Sequence, residues 1–251
     1  MDLLLKGKKV LVTGGSRGIG KAIAAKFIEE GARVGIIARS QAELEKTRQE
    51  LGISIYKGDI ANHQERIRLF RHFLDDFKGI DVLVNNAGAS YGSTVMDTEL
   101  NLFEASMQLN YLAPVHLSQM AAEKMKDQKS GAILNISSIY GREAGGQPTY
   151  NAAKAALISF TKAFSREAIK HNIRVNGIAP GAIFHLNEVW KLRLVEDPEY
   201  LENYVKNRIP AGRFGTPEEI GNVAVFLASE KSSWIVGATI NVDGGQSHMN
   251  F

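Results

Sequence analysis

Lys9-Val10-Leu11-Val12-Thr13-Gly14-Gly15-Ser16-Arg17-Gly18-Ile19-Gly20 decides how the rest of the chain is read. The run from Lys9 to Thr13 is apolar at successive positions, as in a strand covered on both faces. Gly14 through Gly20 reads as a turn into a helix, whose periodicity runs through Ala24, Phe27 and Ile28 and stops at Gly31. Glycines let a backbone approach a pyrophosphate, and a helix N-terminus offers N–H donors and positive potential. Glycine-rich turns are often just tight turns, and the spacing here is not G-x-G-x-x-G. The strand–turn–helix context nevertheless points to phosphate binding by Gly14, Ser16, Arg17, Gly18, Ile19 and Gly20.

The same alternation continues outward. Val34-Gly35-Ile36-Ile37-Ala38 is a second apolar strand, a polar helix covers 41–51, and Ile53-Ser54-Ile55-Tyr56 is a third strand. An amphipathic helix at 63–77 precedes Val82-Leu83-Val84. A long helical segment at about 101–126 leads to Ala132-Ile133-Leu134-Asn135-Ile136, and a helix at about 149–170 leads to Ile173-Arg174-Val175. Thr216-Pro217-Glu218-Glu219 opens the last helix with a capping box and a proline at its first position. Thr239-Ile240-Asn241-Val242 is the last strand. Strands alternating with helices predict an α/β protein: one doubly wound Rossmann-type domain over 1–251, a seven-stranded parallel sheet with helices on both faces.

Composition narrows the function. Thirty basic against 27 acidic residues give +3, too small and dispersed a charge for a nucleic-acid binder. No cysteine is present, and the six histidines lack metal-ligand spacing, so no metal site is expected. Met1-Asp2-Leu3-Leu4-Leu5-Lys6 is too short in apolar length for a signal peptide, and no run approaches a membrane span. A cytoplasmic enzyme without a membrane partner is the expectation.

The end of the second strand discriminates between dinucleotides. An Asp or Glu commonly holds the ribose 2′-hydroxyl of NAD there. Here Ala38-Arg39-Ser40 carries no acid, and Arg39 with Arg17 can bind a 2′-phosphate through planar guanidinium forks. The cofactor expected is NADP(H), with Arg39 and Ser40 in its site.

Tyr150 and Lys154 are four apart in an alanine-rich run and share one helix face. A cation about 4 Å from a phenolate, at an effective dielectric of roughly 20, attracts it by about 4 kcal/mol. That would lower the tyrosine pKa toward the range useful for proton transfer, before burial opposes it. Ser138, at the end of an apolar strand, could bond the same reacting oxygen. Tyrosine–lysine pairs at this spacing are common on exposed helix edges, so the pair alone is weak evidence.

Taken in order, Thr13-Gly14-x-x-x-Gly18-Ile19-Gly20, Asp59-Ile60, Asn85-Asn86-Ala87-Gly88, Asn110, Ser138, Tyr150-x-x-x-Lys154 and Pro180-Gly181 resemble the short-chain dehydrogenase/reductase family over nearly the whole chain. The resemblance implies that Asp59 and Ile60 meet the adenine, and that Asn86, Ala87 and Gly88 line its ribose side. It also adds Pro180, Gly181 and Ile183 to the cofactor contacts. It assigns Asn110, Ser138, Tyr150 and Lys154 to catalysis. Tyr150 would exchange a proton with the substrate oxygen, which Ser138 orients. Lys154 would hold the nicotinamide ribose and acidify the tyrosine, and Asn110 would position a proton-relaying water. His185 stands where the family commonly has threonine, and the Ser138–Tyr150 interval is one residue shorter than in many relatives.

Within the family the pattern resembles the 3-oxoacyl-acyl-carrier-protein reductases, down to Arg213-Phe214-Gly215-Thr216-Pro217 and Val242-Asp243-Gly244-Gly245. The implied substrate is a small carbonyl compound, an acyl-carrier thioester among the candidates. Lys129 and His171 would stand where a carrier docks, and a loop lysine is an equally good account of Lys129. Sugar and other small-alcohol dehydrogenases share these signatures. An idle NADP(H) sensor is opposed by the intact Ser138, Tyr150 and Lys154, and an extended-family epimerase by the lack of chain for a substrate domain. A substrate lid is expected at about 183–210, carrying Phe184, Trp190 and Tyr200. The helices at 101–126 and 149–170 are expected to pair in a homodimer or homotetramer, with Met249 and Phe251 at a second interface.

Overall fold

Val10, Leu11 and Val12 are all fully buried, as a strand covered on both faces requires. They belong to β1 (Lys9–Thr13) in a computed structural model that describes residues 2–184 and 197–250. The other strands are β2 (Arg33–Ala38), β3 (Ser54–Lys57), β4 (Val82–Asn85), β5 (Gly131–Ile136), β6 (Ile173–Pro180) and β7 (Thr239–Val242). They form a seven-stranded sheet in the order β3-β2-β1-β4-β5-β6-β7, every pair parallel. The order reverses between β1 and β4, which opens a crevice at their carboxyl ends.

Alternation along each strand sorts the core into two layers. Val10, Val12, Ile36, Val84 and Leu134 pack under α1 (Gly18–Glu29) and α8 (Pro217–Ala228), through Ile23, Phe27, Ile220 and Leu227. Leu11, Ile37, Leu83, Ile133 and Val175 pack under α3 (His63–Phe77) and α5 (Ala113–Gln128), through Phe73, Phe77, Leu117 and Met125. Arg174 is buried yet satisfied. Its guanidinium donates to the carbonyls of Leu227 at 2.6 Å, Ala228 at 2.9 Å and Ser229 at 3.0 Å, closing the carbonyl end of α8. The expected capping box opens the same helix, with Thr216 N–H donating to Glu219 at 2.8 Å.

The helix α2 (Gln41–Leu51) and α3 keep the bounds expected from periodicity. The long segment at 101–126 does not stay regular. It divides into α4 (Leu100–Met107), a π-helical turn at Gln108–Leu112, and α5. The widened turn carries Asn110 inward to the backbone of Ala89, so tertiary hydrogen bonds outcompete regular pitch. The pair Tyr150 and Lys154 lies on α6 (Pro148–Ala168), and α7 (Pro198–Arg208) follows within the expected lid. His185, Trp190 and Phe251 lie outside the described residues. Among the described residues no helix is long and apolar enough to cross a membrane, and no group of three or more metal-ligating side chains occurs.

Candidate active site

The glycine turn closes because Gly14 and Gly18 take φ of +65° and +54°, values that side chains disfavour. A Cβ on Gly20 would sit 2.2 Å from the Gly14 carbonyl oxygen. Asn86 fastens this turn to the end of β4. Its Nδ2 donates to the carbonyls of Thr13 at 2.9 Å and Gly14 at 3.2 Å, while Thr13 Oγ1 accepts from the N–H groups of Asn86 at 3.0 Å and Ala87 at 3.1 Å. The Asn86 Nδ2 is thus committed to holding the turn. From the other side, Thr47 of α2 donates to the Ser16 carbonyl at 2.9 Å.

A cleft of about 570 Å³ runs across the carboxyl ends of the strands. Its walls hold Gly14, Ser16, Arg17, Gly18, Ile19 and Gly20 from the turn, Arg39 and Ser40 beyond β2, and Asp59 and Ile60 beyond β3. Asn86, Ala87 and Gly88 follow β4, Ser138 follows β5, Tyr150 and Lys154 come from α6, and Pro180 and Gly181 end β6. Its size and shape fit a dinucleotide, as do glycines where a Cβ would fill the cradle. Arg17 and Arg39 are exposed, and among the described residues neither guanidinium forms a hydrogen bond or ion pair, so both forks are available to an anion.

Two expected site residues, Ile183 and Asn110, are not among those lining the cleft. Ile183 packs into the core beneath the sheet and bridges to Gly215, because the chain after Gly181 turns down along Gly215 rather than along the cleft. Asn110 is fully buried behind Gly88. Its Oδ1 accepts from Ala89 N–H at 3.1 Å, and its Nδ2 donates to the carbonyls of Ala89 at 2.8 Å and Ser106 at 3.0 Å. A Cβ on Gly88 would lie 2.6 Å from Asn110 Oδ1 and 3.4 Å from Lys154 Nζ, so a single glycine separates the two. Conversely, Ile37, Ala38, Leu109, Ile136 and Ser137 line the cleft without having been singled out. Most of these end a strand, where the carboxyl-end rule would have found them. Glu43, on the first turn of α2, also reaches the wall and carried no signal of its own.

Lys154 is tied to the end of β5 at both ends. Its Nζ donates to the Ile136 carbonyl at 2.7 Å, and its own carbonyl accepts from Ser137 Oγ at 3.1 Å. Close approach of α6 to the turn after Ser138 depends on Gly141, where a Cβ would stand 2.8 Å from the Lys154 carbonyl carbon. The Lys154 ammonium lies 5.4 Å from the centroid of the Tyr150 ring. Tyr150 does not follow the sequence expectation of a depressed pKa. Burial pushes it up to about 12, opposed by the Ser138 hydroxyl beside it, while burial pulls Lys154 down to about 8. Desolvation outweighs attraction because the ammonium faces the ring and donates to a carbonyl rather than to the phenol oxygen. At neutral pH the arrangement therefore presents a protonated phenol, a hydroxyl and a buried cation on one wall.

A family model described as enoyl-(acyl carrier protein) reductase matches residues 14–247. The chain belongs to the short-chain dehydrogenase/reductase family. It is 39% identical to the 3-oxoacyl-[acyl-carrier-protein] reductase of Chlamydia muridarum, covering 98% of this chain and 100% of that protein. It is 36% identical to a 3alpha-hydroxysteroid dehydrogenase of Mediterraneibacter gnavus, covering 97% of this chain and 98% of that one. Among solved structures, L-sorbose reductase from Gluconobacter frateurii, complexed with NADPH and L-sorbose, superposes with a TM-score of 0.93 at 33% identity, covering 99% of this chain and 100% of that one.

In this short-chain dehydrogenase/reductase, the two positions expected to receive a carrier lie far from the cleft. Lys129 caps the carbonyl end of α5 in the left-handed region, and His171 ends the turn before β6. Each stands at the amino edge of the sheet, where Gly131 pairs with Ile173. The six-residue strand β5 separates Lys129 from Ser138 by about 20 Å.

Proposed function

We propose that this chain is an NADP(H)-dependent carbonyl reductase, reversible as a secondary-alcohol dehydrogenase. The observation that carries the reading is the convergence of Ser138, Tyr150 and Lys154 on the wall where β5 and β6 end, in one cleft with the glycine turn and two guanidiniums that are unpaired among the described residues. Gly14 to Gly20 would hold the pyrophosphate, Arg17 and Arg39 with Ser40 the 2′-phosphate, and Asp59 and Ile60 the adenine. Gly88, Pro180 and Gly181 would flank the nicotinamide half. When bound, NADPH supplies a hydride to the carbonyl carbon.

The protein's own part is the proton and the oxygen. Tyr150, protonated at neutral pH, donates its phenolic proton to the carbonyl oxygen as charge develops there. Ser138 donates to the same oxygen and fixes its position. Lys154, cationic below about pH 8, stabilises the phenolate left behind. Asn110 acts by fixing the Ala89 backbone next to Gly88. Its committed amide favours this positioning role over direct contact with a water.

The substrate class rests on the relatives: 3-oxoacyl thioesters and polyhydroxy ketones are both represented. A carrier docked on Lys129 and His171 would have to reach the cleft along the length of β5, or from a second subunit of a homo-oligomer formed through the α5 and α6 faces. An assay of NADPH oxidation with acetoacetyl thioesters, L-sorbose and a 3-ketosteroid tests the proposal and ranks the substrates. No turnover with any ketone, together with tight NADPH binding, would instead support the idle-sensor reading.

A further inference from the structure

Arg66 is the most deeply buried guanidinium among the described residues, at 3% exposure, and it lies outside the cleft. Its Nη1 donates to the carbonyls of Ile60 at 2.7 Å and Ala61 at 3.3 Å, and its Nε donates to His116 Nδ1 at 3.3 Å. His63 stands 3.4 Å from Nη2, and the two imidazoles stack with centroids 4.6 Å apart. Every acceptor it meets is neutral, and no carboxylate lies within ion-pair distance among the described residues. Burying a charge without a counter-ion is costly, so the protein carries a penalty here that an apolar side chain would avoid.

What the charge holds is the turn after β3. Asp59 and Ile60 form a wall of the cleft; Asp59 closes the turn with its carbonyl, which accepts from Asn62 N–H at 3.1 Å, and its Oδ1, which accepts from Ala61 N–H at 2.9 Å, and Arg66 takes the carbonyls of Ile60 and Ala61. Gln108, opening the π-helical turn, adds a second donor to Ala61 at 3.0 Å. We propose that Arg66 is a positioning residue for the adenine half of the dinucleotide: by pinning the Ile60 and Ala61 carbonyls against α3 and α5, it fixes the wall on which the adenine rests. This rests on the reading of the cleft as a dinucleotide site.

The test compares wild type with Arg66→Met, Arg66→Lys and Gln108→Leu. The readouts are NADPH affinity by fluorescence, competitive inhibition by adenosine 2′,5′-bisphosphate, and the split between KM and kcat. Arg66→Met should weaken NADPH and adenosine 2′,5′-bisphosphate by the same factor, tenfold or more, with kcat at saturating NADPH within twofold. Arg66→Lys should recover part of the loss, and Gln108→Leu should show a smaller loss, about threefold. If Arg66→Met does not fold, the other two variants decide. Unchanged affinities in variants of a wild type that binds NADPH overturn the role of Arg66 alone, as does a fall in kcat at unchanged affinity. A wild type that does not bind NADPH overturns the reading of the cleft itself.

Discussion

The ammonium of Lys154 stands 5.4 Å from the centroid of the Tyr150 ring while it donates to the Ile136 carbonyl at 2.7 Å. The lysine is therefore held by the end of β5, and the tyrosine keeps its proton up to about pH 12. Such a phenol is poised as a donor, which suits carbonyl reduction. It gains acid strength only as the phenolate forms beside the cation.

Tyr150→Phe removes the proton donor and leaves the cleft's shape intact. Turnover should fall by about 10²- to 10⁴-fold, the range for loss of a general acid, with NADPH affinity within a few-fold of wild type. Steady-state kinetics and NADPH fluorescence titration check both halves. Near-normal turnover would remove Tyr150 from the mechanism.

Reductive kcat should hold level in neutral solution and decline above about pH 8, where Lys154 loses its proton, by about tenfold per unit on the far side. The Tyr150 proton cannot set this limb, since it is retained to about pH 12. A profile flat to pH 10 would show that the charge on Lys154 is not needed.

The same lysine makes a stability prediction. Folding lowers its pKa from 10.5 to about 8, so keeping it charged in the folded state is unfavourable below pH 8. That penalty, about 3 kcal/mol, fades as pH rises from 8 to 10.5, where both states become neutral. Measured by urea denaturation, wild type should therefore gain about 3 kcal/mol relative to Lys154→Met between pH 7.5 and 10.5. A constant gap between the two proteins would contradict the buried cation.

Arg39→Ala should raise the KM for NADPH by about 10- to 100-fold, corresponding to the loss of a charge-assisted pair worth about 1.5–3 kcal/mol. The KM for NADH should stay within twofold, so that the preference collapses. An unchanged NADPH/NADH ratio of kcat/KM would assign the 2′-phosphate to Arg17 or to neither.

Gly20→Ala places a methyl 2.2 Å from the Gly14 carbonyl. Relief requires the turn to open, at about 1–3 kcal/mol, which lowers Tm by a few degrees and NADPH affinity by tenfold or more. Calorimetry and titration together check this. Full affinity would mean that the glycine turn does not grip the pyrophosphate.

By itself the sequence determined the order of elements, the parallel sheet and the residues of the glycine turn. These follow from local facts: apolar runs such as Val10-Leu11-Val12 must be covered on both faces, and Gly14 to Gly20, with four glycines among seven residues, lets a backbone come close to a phosphate. It also placed Tyr150 and Lys154 on one helix face, since their spacing is that of one turn. Only the tertiary structure decided what that pair does to a proton, because desolvation and the direction of the Lys154 hydrogen bond depend on β5, distant in sequence. The same holds for the π-helical turn at Asn110, drawn in by Ala89, for Ile183, taken into the core by Gly215, and for Arg66, whose imidazole partner His116 meets it only when α3 and α5 pack together. Periodicity reports which face is buried. It cannot report which polar groups a buried face will find.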